Sequence, residues 1–239
     1  MNNPWLPEKH EILEVIKETD MESTFVLAYD HPSIQHGQFF QLSIPKIGEA
    51  PISVSSFDDH SISFTIRRVG KLTNEIFDLT KGDVLFLRGP YGKGFPLDQF
   101  HNKHIIIIAG GTGVSPVRST LHHYLQHPEE CIDVYAIAGF RDEHHILFTK
   151  DLQAFEQAPH FHTTWTLDQG VKEGFKQGFA MNFVKDIPIK EWQDDAYAVI
   201  IVGPPIMMNT TAKECIKQGI KEEHIYVSFE RKMSCALGK

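Results

Sequence analysis

The stretch "IIIIAGGTGVSPVRS", residues 105–119, is the first place where this sequence could do chemistry. An apolar run leads into Gly110, Gly111, Thr112 and Gly113, and a helical pattern follows. Glycines let a chain turn tightly and let a phosphate come close to the backbone. A helix start adds unpaired N–H groups and about half a positive charge, which suits a pyrophosphate. Ser115 is expected to cap that helix, with Pro116 in its first turn. The order GGTGxxP is not the GxGxxG dinucleotide fingerprint, so a ligand-free glycine turn stays open as the plain alternative. "IIVGPPIMM" repeats the logic: Gly203, Pro204 and Pro205 make a stiff turn where a flat ring could lie. "AIAGFRDEHHILF" ends another apolar run at Gly139, with Phe140 and Arg141 beyond it. In open α/β sheets ligands bind beyond the carboxyl ends of the strands, so the three turns are expected on one rim.

Two earlier stretches are weaker. In "GEAPISVSS", Pro51, Ile52, Ser53 and Val54 could line the edge of a polar ring system. In "TIRRVGKLTNEIF", Thr73 and local N–H groups could hold a phosphate beside Arg67. A strand with solvated arginines is the alternative there. The pairs His122-His123 and His144-His145 suggest metal, but adjacent helical residues diverge by about 100° and rarely share an ion. They read as surface histidines. The last candidate is Cys235 in "FERKMSCALGK". Plant-type iron–sulfur proteins use C-x4-C-x2-C, and on that spacing a second cysteine would fall one residue past Lys239.

Two kinds of element must position these residues. Up to about Asp98 the chain reads as short strands rich in β-branched and aromatic residues: "HEILEVIKET", "STFVLAYD", "GQFFQLSIP", "SISFTIRRVG" and "DVLFLRGP". Pro, Gly, Asp and Ser separate them, which predicts a small antiparallel barrel. Residues 72–82 make one short helix ending at Gly82, or a loop. From about His101, apolar runs alternate with helical patterns, which predicts a parallel α/β sheet. The strands are "KHIIIIAGG", "IDVYAIAGF", "FHTTWTLD", "YAVIIVGPP" and "HIYVSFE". The helices are "SPVRSTLHHYLQH", "KDLQAFEQA", "MNFVKDIP" and "IMMNTTAKECIKQGI". The hinge falls near Gln99 to Lys103.

The chain has 239 residues, 41% of them apolar, with 23 basic and 31 acidic side chains and a net charge of −8. That charge repels a phosphate backbone and argues against nucleic-acid binding. Three cysteines, far apart, are no disulfide framework, and a reducing cytoplasm is the simpler setting. No signal-peptide pattern opens the chain and no apolar run is long enough to span a bilayer.

Taken in order, these motifs resemble the ferredoxin–NADP reductase superfamily over nearly the whole chain. "APISVSS" stands where that family has a flavin-contacting R-x-Y-S stretch, and "RRVGKLT" at its flavin pyrophosphate segment. "GPYGKGF" at Gly89 to Phe95 resembles its G-P-x-G-x-F loop. "AGGTGVSPVRS" resembles its nicotinamide-nucleotide motif, and "VGPPIMM" its C-G-P-x-x-M motif. With "ERKMSCALGK" added, the set is similar to the flavin/iron–sulfur electron-transfer subunits of anaerobic sulfite reductase.

The resemblance implies a six-stranded-type FAD-binding β-barrel at 1–99 and a Rossmann-like NAD(P)-binding domain at 100–230. Residues 231–239 would begin a [2Fe–2S]-binding tail. It implies that Ala50, Pro51, Ile52 and Ser53 line the flavin ring. Thr65, Ile66 and Arg67 would run beside its ribityl and phosphate portion, and Gly70, Leu72 and Thr73 would bind its pyrophosphate. Gly110 to Gly113 and Pro116 would hold the nicotinamide dinucleotide, with Gly139 and Arg141 beside it. Gly203, Pro204 and Pro205 would lie near the nicotinamide. No catalytic acid or base is implied.

Cys235 would be the first cluster ligand, and one cysteine cannot hold a cluster, so the chain is expected to lack it. Two positions depart from the family. Ala50 replaces the R-x-Y-S arginine, leaving Arg67 as the charge to compensate, and Val202 replaces the cysteine before G-P-P. The implied activity is hydride transfer from NADH to FAD, then single-electron delivery to iron–sulfur and sirohaem subunits that reduce sulfite. NADH against NADPH stays open, with Arg141 placed to meet a 2′-phosphate. The alternatives are an electron-transfer subunit of dihydroorotate dehydrogenase, a hydrogenase diaphorase subunit, or a nucleotide-binding regulatory module with no redox role.

Overall fold

The computed structural model describes residues 6–30, 34–193 and 195–228. Cys235 lies outside them. The described residues divide into two compact units, one up to Gly94 and the other from Phe95 to Ser228. Among the described residues no helix is long and apolar enough to cross a membrane.

The first unit is a closed antiparallel barrel of six strands: β1 (Glu8–Lys17), β2 (Glu22–Ala28), β3 (Phe39–Ile44), β4 (Gly48–Phe57), β5 (Ser61–Arg67) and β6 (Val84–Tyr91). They are ordered β1-β2-β5-β4-β3-β6. This is the barrel that the strand spacing predicts. Its interior is filled by Phe25, Leu27, Phe40, Leu42, Val54, Phe64 and Leu87, all at most 2% exposed. Each such side chain stabilises the fold by roughly 1.5–3 kcal/mol relative to exposure. The Phe40 ring packs edge-on against both Tyr29 and Phe64. Helix α1 (Lys71–Phe77) adds Ile76 to this core. The helix stops at Asp78 rather than running to Gly82. Thr80 N–H and Oγ1–H both donate to Asp83 Oδ2, at 2.7 and 3.1 Å, closing a turn before β6. Gly82, at φ +91°, belongs to that turn.

The second unit is a six-stranded parallel sheet. Its strands are β7 (His104–Gly110), β8 (Asp133–Phe140), β9 (Phe161–Leu167), β10 (Phe175–Gln177), β11 (Tyr197–Val202) and β12 (Ile225–Ser228), ordered β10-β9-β8-β7-β11-β12. The helices are α2 (Val114–Gln126), α3 (Thr149–Gln157) and α4 (Pro205–Lys217). β7 shows why the sequence reads as it does. Ile105, Ile107 and Ala109 pack with Val117 and Leu121 of α2 and with Leu152 and Phe155 of α3. Ile106 and Ile108 pack instead with Met208 and Cys215 of α4. A strand covered on both faces needs a continuous apolar run.

Two elements differ from the sequence reading. "MNFVKDIP" is a 3-10 segment, Ala180–Asp186, not an α-helix. The short edge strand β10 carries no strand signal in the sequence; it has three residues, between Gly174 and Gly178, both at positive φ.

Candidate cofactor sites

In the barrel, the β4–β5 ladder is short. It pairs Phe57 with Ile62, Ser56 with Ser63 and Val54 with Phe64, and goes no further. Beyond Val54 the two strands take other partners. Ala50, Pro51, Ile52 and Ser53 pair with Leu42, Gln41, Phe40 and Phe39 of β3. Thr65, Ile66 and Arg67 pair with Thr24, Ser23 and Glu22 of β2. A register shift between Val54 and Ser56 marks the parting. The extra residue, Ser55, is buried and its hydroxyl donates to the Ser63 carbonyl at 3.0 Å. Such a bulge bends one strand away from its neighbour. The two segments predicted to line a flavin are therefore the diverging ends of one strand pair. Their facing edges leave backbone N–H and C=O groups for another partner.

Several predicted side chains at this parting are already engaged. Thr73 Oγ1 accepts from the N–H groups of Val69 and Gly70, both at 2.9 Å, and donates to the Gly70 carbonyl at 3.1 Å. It shapes the start of α1 rather than offering a free hydroxyl. Arg67 Nε lies 3.3 Å from the carboxylate of buried Glu22, which also accepts from the Thr19 hydroxyl. Ile66 is buried in the barrel core and Thr65 Oγ1 bonds Thr24 Oγ1 at 2.9 Å. What the start of α1 presents outward is backbone. Leu72 packs inward, and no atom lies within 4 Å of where a Cβ on Gly70 would stand.

Sequence reasoning misses Tyr91. It sits opposite Phe39, itself opposite Ser53, and its buried hydroxyl has no hydrogen-bond partner among the described residues. The "GPYGKGF" loop is the signal that could have raised it.

In the α/β unit, β7 is followed in sequence by β8 on one side, while β11 lies on its other side. This is the switch point where strand order reverses, the place at which open sheets bind ligands. Gly110 pairs with Gly139, and Ala109 with Val202. The turns at Gly110–Gly113, Gly139–Arg141 and Gly203–Pro205 thus share the carboxyl-end rim, as expected.

The glycines there do different work. A Cβ on Gly113 would sit 2.5 Å from the Val202 carbonyl oxygen. A Cβ on Gly203 would sit 2.9 Å from Met207 Sδ, and one on Gly110 3.3 Å from the same sulfur. These three let the β7 turn and the β11 turn close against each other. A Cβ on Gly139 would come 3.0 Å from Thr166 Oγ1. Gly111 alone in the turn has positive φ, +56°, with nothing within 4 Å of its absent Cβ. Thr112 beside it is exposed. Gly111 and Thr112 form an open backbone cradle ahead of α2.

Ser115 does not cap α2. Gly113 holds the cap position, and Ser115 lies inside the first turn, 4% exposed, its hydroxyl without a partner among the described residues. Pro116 is buried in the same turn. The three-residue 3-10 turn Gly111–Gly113 leads directly into the helix, which shifts the cap two residues earlier. Pro204 caps α4 with Pro205 as its first residue, and both are exposed beside Ile206, 80% exposed. Arg141 is exposed at the same rim, its Nε 3.9 Å from Asp142.

The two cradles fit the groups that the resemblance implies. The barrel offers an open strand edge and an uncovered Gly70, and the sheet offers an uncovered Gly111 at its switch point.

Residues 107–213 match the family described as "Oxidoreductase NAD-binding domain". Sulfhydrogenase 2 subunit gamma of Pyrococcus furiosus is 31% identical, over 99% of this chain and 88% of that protein. A probable dihydroorotate dehydrogenase B (NAD(+)) electron transfer subunit of Methanocaldococcus jannaschii is 32% identical, over 95% of this chain and 79% of that protein. The chain belongs to the ferredoxin–NADP-reductase-like electron-transfer subunits. A crystal structure of a ferredoxin NADP+ reductase from Neisseria gonorrhoeae, with bound FAD and NADP, superposes with a TM-score of 0.75. It covers 93% of this chain and 99% of that one at 18% identity. The Amycolatopsis cytochrome P450 reductase GcoB gives a TM-score of 0.79 over 93% of this chain and 69% of that one, at 22% identity. The fold is that of flavin- and NAD(P)H-dependent oxidoreductases. These relatives are subunits of a sulfhydrogenase and of dihydroorotate dehydrogenase, so they support a partner-subunit role in general and not sulfite reduction in particular.

Proposed function

We propose that this chain is the electron-input subunit of a multisubunit oxidoreductase, taking electrons from NAD(P)H through FAD to a catalytic partner. The observation that carries the flavin half is the parting of β4 from β5. It leaves Ala50–Ser53 and Thr65–Arg67 facing each other without pairing. When bound, FAD accepts two electrons as hydride and can release them singly, chemistry that belongs to the cofactor. The chain's own part is placement. The free edge of Ala50–Ser53 would fix the polar rim of a flat ring by backbone hydrogen bonds. The start of α1, held in shape by Thr73, would meet the flavin phosphates with the Leu72 N–H beside the uncovered Gly70. Gly111 and Thr112 would bind the nucleotide phosphates, and Pro204, Pro205 and Ile206 would give the nicotinamide an apolar platform. Neither cradle supplies a general acid or base, and hydride transfer needs only a near-attack geometry.

The likeness to hydrogenase and dihydroorotate dehydrogenase subunits favours a partner of that kind. The sulfite-reducing reading rests on the motifs taken together with "ERKMSCALGK", and that last stretch falls outside the described residues. The test has two stages. Protein loaded with FAD should bleach under anaerobic NADH or NADPH and then reduce an artificial one-electron acceptor. Failure to take up FAD at all would overturn the proposal in favour of a non-redox nucleotide-binding module. Tagged chain recovered from its own source should then bring down its catalytic subunit. A hydrogenase metal centre, an orotate-reducing flavoprotein or a sirohaem protein would each name a different partner.

A further inference from the structure

The end of α2 opposite its glycine turn gathers imidazoles and carboxylates that the proposed activity does not use. His123 and His127 are four residues apart, so the last turn of α2 brings them to one face, with ring centroids 5.0 Å apart. Their sequence neighbour His122 points elsewhere, to Asp151 and the Phe155 ring. The adjacent pair thus diverges, whereas the spacing of four brings two rings together. Pro128 then turns the chain into a 3-10 segment, Pro128–Glu130, that carries Glu129 and Glu130 back toward the helix end.

The backbone of this turn is tied down. His127 N–H donates to the His123 carbonyl at 2.8 Å, Glu130 N–H to the His127 carbonyl at 3.1 Å, and Asn102 N–H to the Glu130 carbonyl at 2.9 Å. The side-chain atoms converge. His123 Nε2 is 2.8 Å from Glu130 Oε2, and His127 Nδ1 is 3.4 Å from Glu129 Oε1. One ligand atom each from His127, Glu129 and Glu130 lie within 4.8 Å of one another. Ligand bonds of about 2.0–2.2 Å around a tetrahedral ion place neighbouring donors roughly 3.3 Å apart. Those separations bracket that value before any adjustment.

We propose that His127, Glu129 and Glu130 hold a divalent transition-metal ion of the zinc class, with His123, bonded to Glu130, orienting that carboxylate. An imidazole with two carboxylates, one of them held by a second imidazole, is a mixed N/O set that zinc, nickel and copper accept and that calcium and magnesium do not favour. The neighbouring Cys131 is buried, its Sγ turned to the Pro128 carbonyl at 4.0 Å, and is not among the converging atoms.

A second cluster, Asp195 with Glu223 and His224, is the internal control. Its Asp195 is already paired with Lys221 Nζ at 3.2 Å, a cation that an incoming ion would have to displace.

The experiment is titration of the FAD-loaded full chain with Co2+, read in the visible beyond the flavin bands, with Zn2+ added to displace it. One four-coordinate Co2+ per chain is expected. The His123→Gln/His127→Gln variant should bind about 100-fold more weakly, and His224→Gln as wild type. Glu129→Gln alters only an exposed carboxylate; it should cost about tenfold in affinity while leaving thermal unfolding without metal unchanged. NADH-driven acceptor reduction should be unaffected in all three variants. Equal Co2+ binding by wild type and the double-histidine variant would overturn the site, as would an absence of stoichiometric binding in the wild type.

Discussion

The two cradles reach the same end by opposite means. In the barrel, the opening arises because a bulge at Ser55 stops two strands from pairing, and the polar side chains of the motif then hold that geometry from within. Thr73 bonds the backbone at Val69 and Gly70, and Arg67 neutralises buried Glu22. At the sheet's switch point the opening arises because glycines remove side chains. Gly110, Gly113 and Gly203 let two turns close together, and Gly111 leaves space above them. In both, what stands open is mainly backbone, and the residues that make a motif conspicuous mostly support it.

That contrast gives an order of expected effects. Gly113→Ala should be the most damaging, because its Cβ would lie 2.5 Å from a backbone oxygen that cannot rotate away. A loss of about 3 kcal/mol is expected, the upper end for overpacking, measured by urea unfolding of the second unit's fluorescence. A mild effect would show that the two turns can separate cheaply. Arg67→Ala comes next. It leaves the buried Glu22 carboxylate without its cation, at about 1–2 kcal/mol given that Arg67 itself is half exposed. Glu22→Gln in the same chain should restore most of the loss; no restoration would mean that Arg67 acts on the cofactor and not on Glu22. Thr73→Val removes three hydrogen bonds at the start of α1 and should cost about 1–2 kcal/mol, as loss of a cap does. Thr73→Ser should keep both stability and FAD retention.

How much of this is legible in the sequence follows from the same contrast. The parallel sheet is readable because β7 is apolar on both faces and its turn is marked by four consecutive small residues. The barrel's strands are readable from β-branched and aromatic content, but the parting of β4 from β5 is not. Register and bulges depend on which strands become neighbours, and "VSSF" carries no mark of it. Ser115 misleads because local propensity favours serine as a cap, whereas the 3-10 turn ahead of it moves the cap to Gly113. The metal-like spacing at His123 and His127 is masked by the more obvious His122-His123 pair. Three glycines in one turn look alike, and only packing separates Gly113, which has no room, from Gly111, which has nothing but room.

The finest cut through the comparison uses two alanine substitutions that touch no protein atom. Gly111→Ala places a methyl in open space but at φ +56°, a backbone state costing a non-glycine residue about 1–2 kcal/mol. Gly70→Ala places one in open space at φ −164°, extended backbone that alanine adopts freely. Gly70 is also the N-cap of α1, where glycine is preferred to alanine, so that cost and the gain through the unfolded chain should nearly cancel, to within about 1 kcal/mol. If each glycine is uncovered because a phosphate approaches it, the two variants should part by ligand. Gly111→Ala should weaken NAD(P)H binding about tenfold with FAD retained, and Gly70→Ala should weaken FAD about tenfold, a difference of ~1.4 kcal/mol each. Calorimetric titration of FAD-free and FAD-loaded protein separates the two. Gly70→Ala is the sharper test, since its backbone is unstrained and unfolding of the FAD-free protein reads any capping cost separately from affinity. A Gly70→Ala protein that held FAD as wild type does would remove the start of α1 from the flavin site, leaving the open β4 edge to bind it alone.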